Sequence, residues 1–265
     1  MLVDAIARVP GDERRWLVLG DALQEWGDPR GELVALTSAE AERMRTRPFR
    51  HAPEIPPLVR ARVAALTDEA AWLADLGLPP LASRHVGWHR GLVERLSIEG
   101  GSIAEALDLL DALWGHWSGR RCARLWLDVA SDRDLVRLLV SHPGFQQLRA
   151  LAIHEPSMLD AVIDSELQLE ELTLRGFSLS DAQLTRLLRA PWVSGLHTLK
   201  LRVALPVGHG RPLAACPALR SLRWLDGPLD GGSLRRSPFL ERCHVYVWRP
   251  DTLRLGGKAA ASVPG

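Results

Sequence analysis

The sequence predicts an α/β chain, a curved parallel sheet with helices outside it, capped at its amino terminus by a helical region. Three observations predict this class. A short apolar pattern returns seven times after residue 90, amphipathic runs alternate with it, and the first third reads as helices broken at glycine and proline. The 265 residues, 46% hydrophobic and 25% charged, exclude wholesale disorder. With 33 Lys+Arg against 32 Asp+Glu the formal charge is +1, which argues against a globally basic nucleic-acid coat. Only Lys200 and Lys258 are lysines, a bias that matches GC-rich codon usage better than selection for guanidinium chemistry.

The recurring pattern is apolar, two variable, apolar, one variable, apolar. It is carried by Val93, Leu96 and Ile98; Cys122, Leu125 and Leu127; Leu148, Leu151 and Ile153; Leu169, Leu172 and Leu174. It continues as Leu196, Leu199 and Leu201; Leu219, Leu222 and Trp224; Leu240, Cys243 and Val245. The starts are 21 to 29 residues apart, so the pattern resembles leucine-rich repeats. The resemblance implies a solenoid of about seven units over 88–250, in which stacking supplies a core that no single unit can build. The asparagine or cysteine usual after the third apolar position is missing, so an irregular arc is expected.

The segments between the strands read as helices. Ser102 and Glu105 form a capping-box pattern before Leu107, Leu110 and Leu113, and Ser180 and Gln183 form another before Leu184, Leu187 and Leu188. Ser131 precedes a third helix through Leu135, Leu138 and Leu139. After Pro206 the helices weaken, and 251–265 reads as a tail.

Residues 1–87 read as a helical capping region. One helix spans about 2–9 and a second runs from 12 or 13 with Trp16, Leu19, Leu23 and Trp26 on one face. A third starts near Arg30, and a fourth covers 58–76. Between them, Pro48, Pro53, Pro56 and Pro57 with Arg45, Arg47 and Arg50 mark a loop, the natural site of cleavage. The string from Trp16 to Leu36, with Gly27, Asp28, Pro29, Arg30, Gly31 and Glu32 at its centre, resembles the bacterial repeat-companion domain of myxobacterial and planctomycete type. A second string, Trp88, His89, Arg90, Gly91, Leu92, Val93 and Glu94, resembles the segment that leads such chains into their first repeat strand. Gly20 and Ala22 depart from the family pattern. The resemblance implies no catalytic activity. Physically, the hexad 27–32 reads as a turn, with Asp21, Arg30 and Glu32 as an ion-pair cluster pinning two helices.

Enzyme signatures are absent: there is no P-loop, dinucleotide fingerprint, nucleophile elbow or H-E-x-x-H. His85 and His89 have the i, i+4 spacing of a helical metal pair, but Gly87 weakens the helix and no further ligand stands nearby. Cys122 and Cys243 take apolar strand positions and read as buried hydrophobes, with Cys216 at a turn. No catalytic residue, metal or cofactor is expected. No membrane-length apolar run or signal-peptide core occurs, so the expected setting is the cytoplasm.

What remains is a surface. The third, fifth and seventh residues of each pattern point to the concave side. These are Arg95, Ser97, Glu99; Arg124, Trp126, Asp128; Ala150, Ala152, His154; Glu171, Thr173, Arg175; Thr198, Lys200, Arg202; Ser221, Arg223, Leu225; and Arg242, His244, Tyr246. Seven of the 21 are basic and three acidic, and the last three units carry Lys200, Arg202, Arg223 and Arg242 unopposed. The expected function is a non-enzymatic protein–protein recognition or adaptor module. Its partner, with an acidic segment, docks on Arg95, Arg124, Trp126, His154, Arg175, Lys200, Arg202, Arg223, Arg242, His244 and Tyr246. RNA or another polyanion along the basic half of that face is an alternative. A role as accessory sensor, inhibitor or protease target in a bacterial conflict or signalling system is another, resting on the resemblance.

Overall fold

The computed structural model describes residues 2–8, 12–45, 56–78, 86–119, 122–130, 133–205, 210–229, 231–234 and 236–247. Among the described residues the protein is α/β, with eight strands hydrogen-bonded in chain order. It forms two compact units, Met1–Trp126 and Leu127–Gly265, and the division falls inside one strand. Among the described residues no helix is long and apolar enough to cross a membrane.

The first unit holds helices α1 (Leu2–Arg8), α2 (Glu13–Glu25), α3 (Pro29–Arg45), α4 (Pro57–Leu66), α5 (Glu69–Asp75) and α6 (Ile103–Gly115). With them are strands β1 (Val86–His89), β2 (Leu92–Ser102) and the start of β3 (Arg124–Ala130). Asp12 opens α2 by accepting the backbone N–H of Arg14 at 3.2 Å, satisfying one of the free donors of the first turn. The face of Trp16, Leu19, Gly20 and Leu23 is buried. Trp26, expected on that face, is 75% exposed: the helix stops at Glu25, and Gly27, at φ +72°, turns the chain away. α2 and α3 approach closely because both carry glycine at the crossing. A Cβ on Gly31 would lie 2.6 Å from the Gln24 nitrogen and the Gly20 oxygen. The helix expected over 58–76 is two helices, because Thr67 is extended and Asp68 caps a new start by accepting from the Ala71 N–H at 3.0 Å.

β1 and β2 are an antiparallel hairpin. His89 therefore lies on a strand, which removes the helical pair with His85; His85 itself lies outside the described residues. Arg90 and Gly91 form the loop, both at positive φ (55° and 76°), the signature of a type I′ turn whose twist matches the strands it joins. The capping box at Ser102 and Glu105 is present with both reciprocal bonds. Val3, Ile6, Trp16, Leu19, Leu23, Val34 and Leu92 form one buried cluster. Leu33, Leu66 and Trp72 form a second, with Trp88 against it.

The second unit alternates strand and helix: the rest of β3, α7 (Arg133–Ser141), β4 (Ala150–Ile153), α8 (Pro156–Ile163) and β5 (Glu171–Ser178). It continues as α9 (Asp181–Arg189), β6 (Thr198–Ala204), α10 (Gly210–Ala214), β7 (Trp224–Gly227), α11 (Gly231–Leu234) and β8 (His244–Val247). Helices after Pro206 are only 5 and 4 residues long. β4 to β8 are parallel. Leu151, Leu172, Leu199, Leu225 and Val245 form one cross-strand row, buried through Leu225, each fully buried leucine contributing about 1.5–3 kcal/mol over exposure.

That row corrects the frame of the sixth and seventh patterns. Leu225, expected on the open face, is 0% exposed, and Trp224, expected in the core, is 42% exposed. One turn carbonyl per unit accepts two N–H groups of the next, and these carbonyls belong to Arg149, Glu170 and His197. Arg223 continues the series, accepting from His244. Arg223 is therefore the second residue of a pattern that starts at Leu222, not the fifth of one that starts at Leu219. A 3-10 turn, Pro217–Ser221, takes up the three residues, as Pro191–Gly195 does before Leu196.

Candidate interaction face

Alternation along β5 to β8 places two complete cross-strand rows on one face of the second unit. Glu171, Thr198, Trp224 and His244 are successive register partners, as are Thr173, Lys200, Asp226 and Tyr246. Arg175 and Arg202 begin a third row. Sequence reasoning named most of these and missed Trp224 and Asp226, both displaced by the frame error. The signal was present: a proline stands five residues before the first apolar position at Leu148 and Leu196, and Pro217 in the same way selects Leu222.

Two of the cations on this face, Lys200 and Arg202, are paired. Lys200 Nζ donates to Glu171 Oε1 at 2.6 Å, and Arg202 Nη2 lies 3.5 Å from Asp226 Oδ2. His154 Nδ1 is 3.2 Å from Asp128 Oδ2. Lys200 and Arg202 are thus opposed, contrary to the sequence reading. Arg223 and Arg242 are exposed but lie in turns before β7 and β8, off the face. Arg175 is exposed beside Arg202. Ala150 and Ala152 are buried, because a methyl group lies below the longer side chains of the neighbouring strand, Glu171 and Thr173.

What the face presents at β7 and β8 is aromatic. Trp224 is 42% and Tyr246 59% exposed, and the Trp224 and His244 rings are 6.4 Å apart. Two residues after Trp224 and opposite Tyr246 is Asp226, 6% exposed, whose Oδ1 is buried without a hydrogen-bond partner. In the first unit, Arg95 stacks 5.2 Å above the exposed Trp126, and Arg124 is exposed on the same strand as that tryptophan.

The two motif strings of the first unit meet. Arg90 donates two 2.9 Å bonds to Glu13 and stacks 4.9 Å over Trp16, whose ring is also 5.5 Å from that of His89. Arg30 is 7% exposed, bonded to Asp28 at 2.6 Å, bridged to Asp75 at 3.3 Å, and stacked 4.6 Å over Trp117. A Cβ on Gly91 would lie 2.6 Å from Arg30 Cγ, so the hairpin glycine is the space that this arginine fills. The expected cluster of Asp21, Arg30 and Glu32 is replaced: Asp28 and Asp75 hold Arg30, Arg62 holds Glu32, and Asp21 is exposed. Burial would raise the Asp28 carboxyl, but its hydrogen bonds with Arg30 outweigh that and hold it below the usual range.

Two contacts look like acyl-transfer chemistry. Ser118 Oγ is 2.8 Å from His116 Nδ1, and His116 Nε2 is 3.7 Å from Asp75. Ser118 is 0% exposed and its carbonyl accepts the Val93 N–H, so the serine is a buried brace for β2 with no surface for a substrate. Burial lowers the His116 pKa, Asp75 opposes this, and Arg30 adds to it. Burial pushes the Cys122 thiol up to about 12 and the Cys243 thiol up to about 11, away from nucleophilic thiolate chemistry. A groove of about 840 Å³ runs along α7 and α8, where Arg186 ties Asp160 and Asp164 together at its rim. Among the described residues no group of three or more metal-type ligands occurs.

Fold and face together define an α/β chain whose last two parallel strands expose aromatic side chains. No family model, curated protein or solved structure matches it.

Proposed function

We propose that this chain is a non-enzymatic recognition module, a leucine-rich-repeat solenoid that follows a repeat-companion helical region in the sequence, binding another protein on the open face of β5 to β8. The observation that carries the reading is the exposed trio Trp224, His244 and Tyr246 on two adjacent strands. Aromatic groups in this number on a surface are the usual anchors of interface hot spots. Their backbone is already paired in the sheet, so the ordering cost of binding is limited to the side chains.

The reading differs in its chemistry from the one composition suggests. With Lys200 and Arg202 paired to Glu171 and Asp226, the reading rests on the aromatic side chains in place of a basic column. Affinity capture from cytosol with wild type and with a Trp224→Ala/Tyr246→Ala variant tests it, using nuclease-treated and untreated extracts. A protein held by wild type after nuclease and lost from the variant is the expected result. Recovery unchanged by the double substitution overturns the site, and nuclease-sensitive recovery of nucleic acid moves the function to polyanion binding.

A further inference from the structure

We propose that Asp226, together with the faces of Trp224 and Tyr246, forms a receptor for one guanidinium group, supplied by an arginine side chain of the partner protein. This rests on the recognition reading above and names the chemistry of its central contact. Asp226 is a carboxylate with its side chain 8% exposed on a face that is otherwise open. One of its oxygens is buried and unpartnered, a costly arrangement that a donor on a ligand removes. Its other oxygen meets Arg202 through a single long contact of 3.5 Å, from a side chain that is half exposed. The pair is therefore weak and leaves Oδ1 unclaimed.

The neighbours select the shape of the donor. Trp224 lies two residues before Asp226 on the same strand face, and Tyr246 is its register partner on β8. Both rings are well exposed, so their faces are open to a ligand. A planar, delocalised cation stacks on aromatic faces and donates in the plane to a carboxylate at once; a compact ammonium does only the second. Of the other charged groups on these rows, Lys200, the register partner of Asp226 on β6, is paired with Glu171, and among the described residues Arg202 is the cation within ion-pair distance of Asp226.

Tyr246 is the only tyrosine in the chain, so biosynthetic 3-fluorotyrosine places a single ¹⁹F reporter in the site. The full-length protein is titrated with ethylguanidinium chloride, and with ethylammonium chloride and sodium chloride at matched ionic strength. The expected result is a saturable shift with ethylguanidinium alone, with a dissociation constant on the order of 10–100 mM for so small a probe. Asp226→Asn, nearly isosteric, should abolish saturation, and Arg202→Gln, which removes the competitor, should tighten binding by roughly threefold. A linear shift shared by all three salts, or one unchanged in Asp226→Asn, overturns the proposal. If that happens while Trp224 and Tyr246 still govern partner capture, the arginine receptor fails and the recognition face stands.

Discussion

Arg90 and Glu13, 77 positions apart, share two 2.9 Å hydrogen bonds, and the arginine holds them from a left-handed backbone at φ +55°. A non-glycine residue there costs about 1–2 kcal/mol, so the turn keeps arginine because its head group is engaged. The side chain is 5% exposed and lies over Trp16, which ties the hairpin loop to α2.

Substitution at Arg90 should separate these two effects. Arg90→Ala removes both bonds to Glu13 and keeps the backbone penalty, for a loss of about 3 kcal/mol in urea unfolding. Arg90→Gly loses the same pair but relieves the backbone, so it should be about 1 kcal/mol less damaging than alanine. Equal losses would show that the positive φ carries no penalty.

Gly31 and Gly27 make a second contrast. A methyl at Gly31 meets backbone atoms of α2 at 2.6 Å, so α2 and α3 must part, at a cost of about 2–4 kcal/mol. At Gly27 nothing lies within 4 Å of the added carbon, and only its φ of +72° opposes alanine, for about 1 kcal/mol. Thermal unfolding of both variants should rank them in that order.

Acid should weaken the first unit through His116. Its pKa is lowered in the folded protein, so the unfolded chain binds the proton more readily, and stability falls as pH drops below about 6.5. Protonation also removes the Nδ1 acceptor used by the Ser118 hydroxyl and backbone N–H. Chemical denaturation at pH 7.5 and 5.5 should show a decline that His116→Asn reduces. A decline of the same size in the variant would assign the pH dependence to other groups.

The repeat frame can be tested by two neighbouring truncations. Leu225→Ala should cost about 2–5 kcal/mol, because the side chain is fully buried in the leucine row. Arg223→Ala, in an exposed turn, should stay within about 0.5 kcal/mol. The reverse order would restore the frame that begins at Leu219.

These pairs also mark where sequence reasoning reached and where it stopped. Strand rows such as Leu151, Leu172 and Leu199 were legible because a spacing of three and two repeated in register. The capping boxes at Ser102 and Ser180 were legible because each needs only four residues. Leu219 misled because an apolar residue inside a 3-10 turn fits the pattern three residues early, and only the proline spacing distinguishes the two. The Arg30 cage was illegible for another reason: Asp75 and Trp117 are distant in sequence, and no local pattern announces them. Charge on the open face was miscounted because pairing across strands, Glu171 with Lys200, depends on register and not on composition.

The most direct test of the recognition face is a photo-crosslinker in place of Tyr246, with a second protein carrying it at Leu138, 60% exposed on α7. Irradiated in native extract, the protein labelled at 246 should form a discrete adduct that excess unlabelled wild type competes away, while the one labelled at 138 should not. The same competed adduct from 138 and none from 246 would contradict the account and place the partner on the helices.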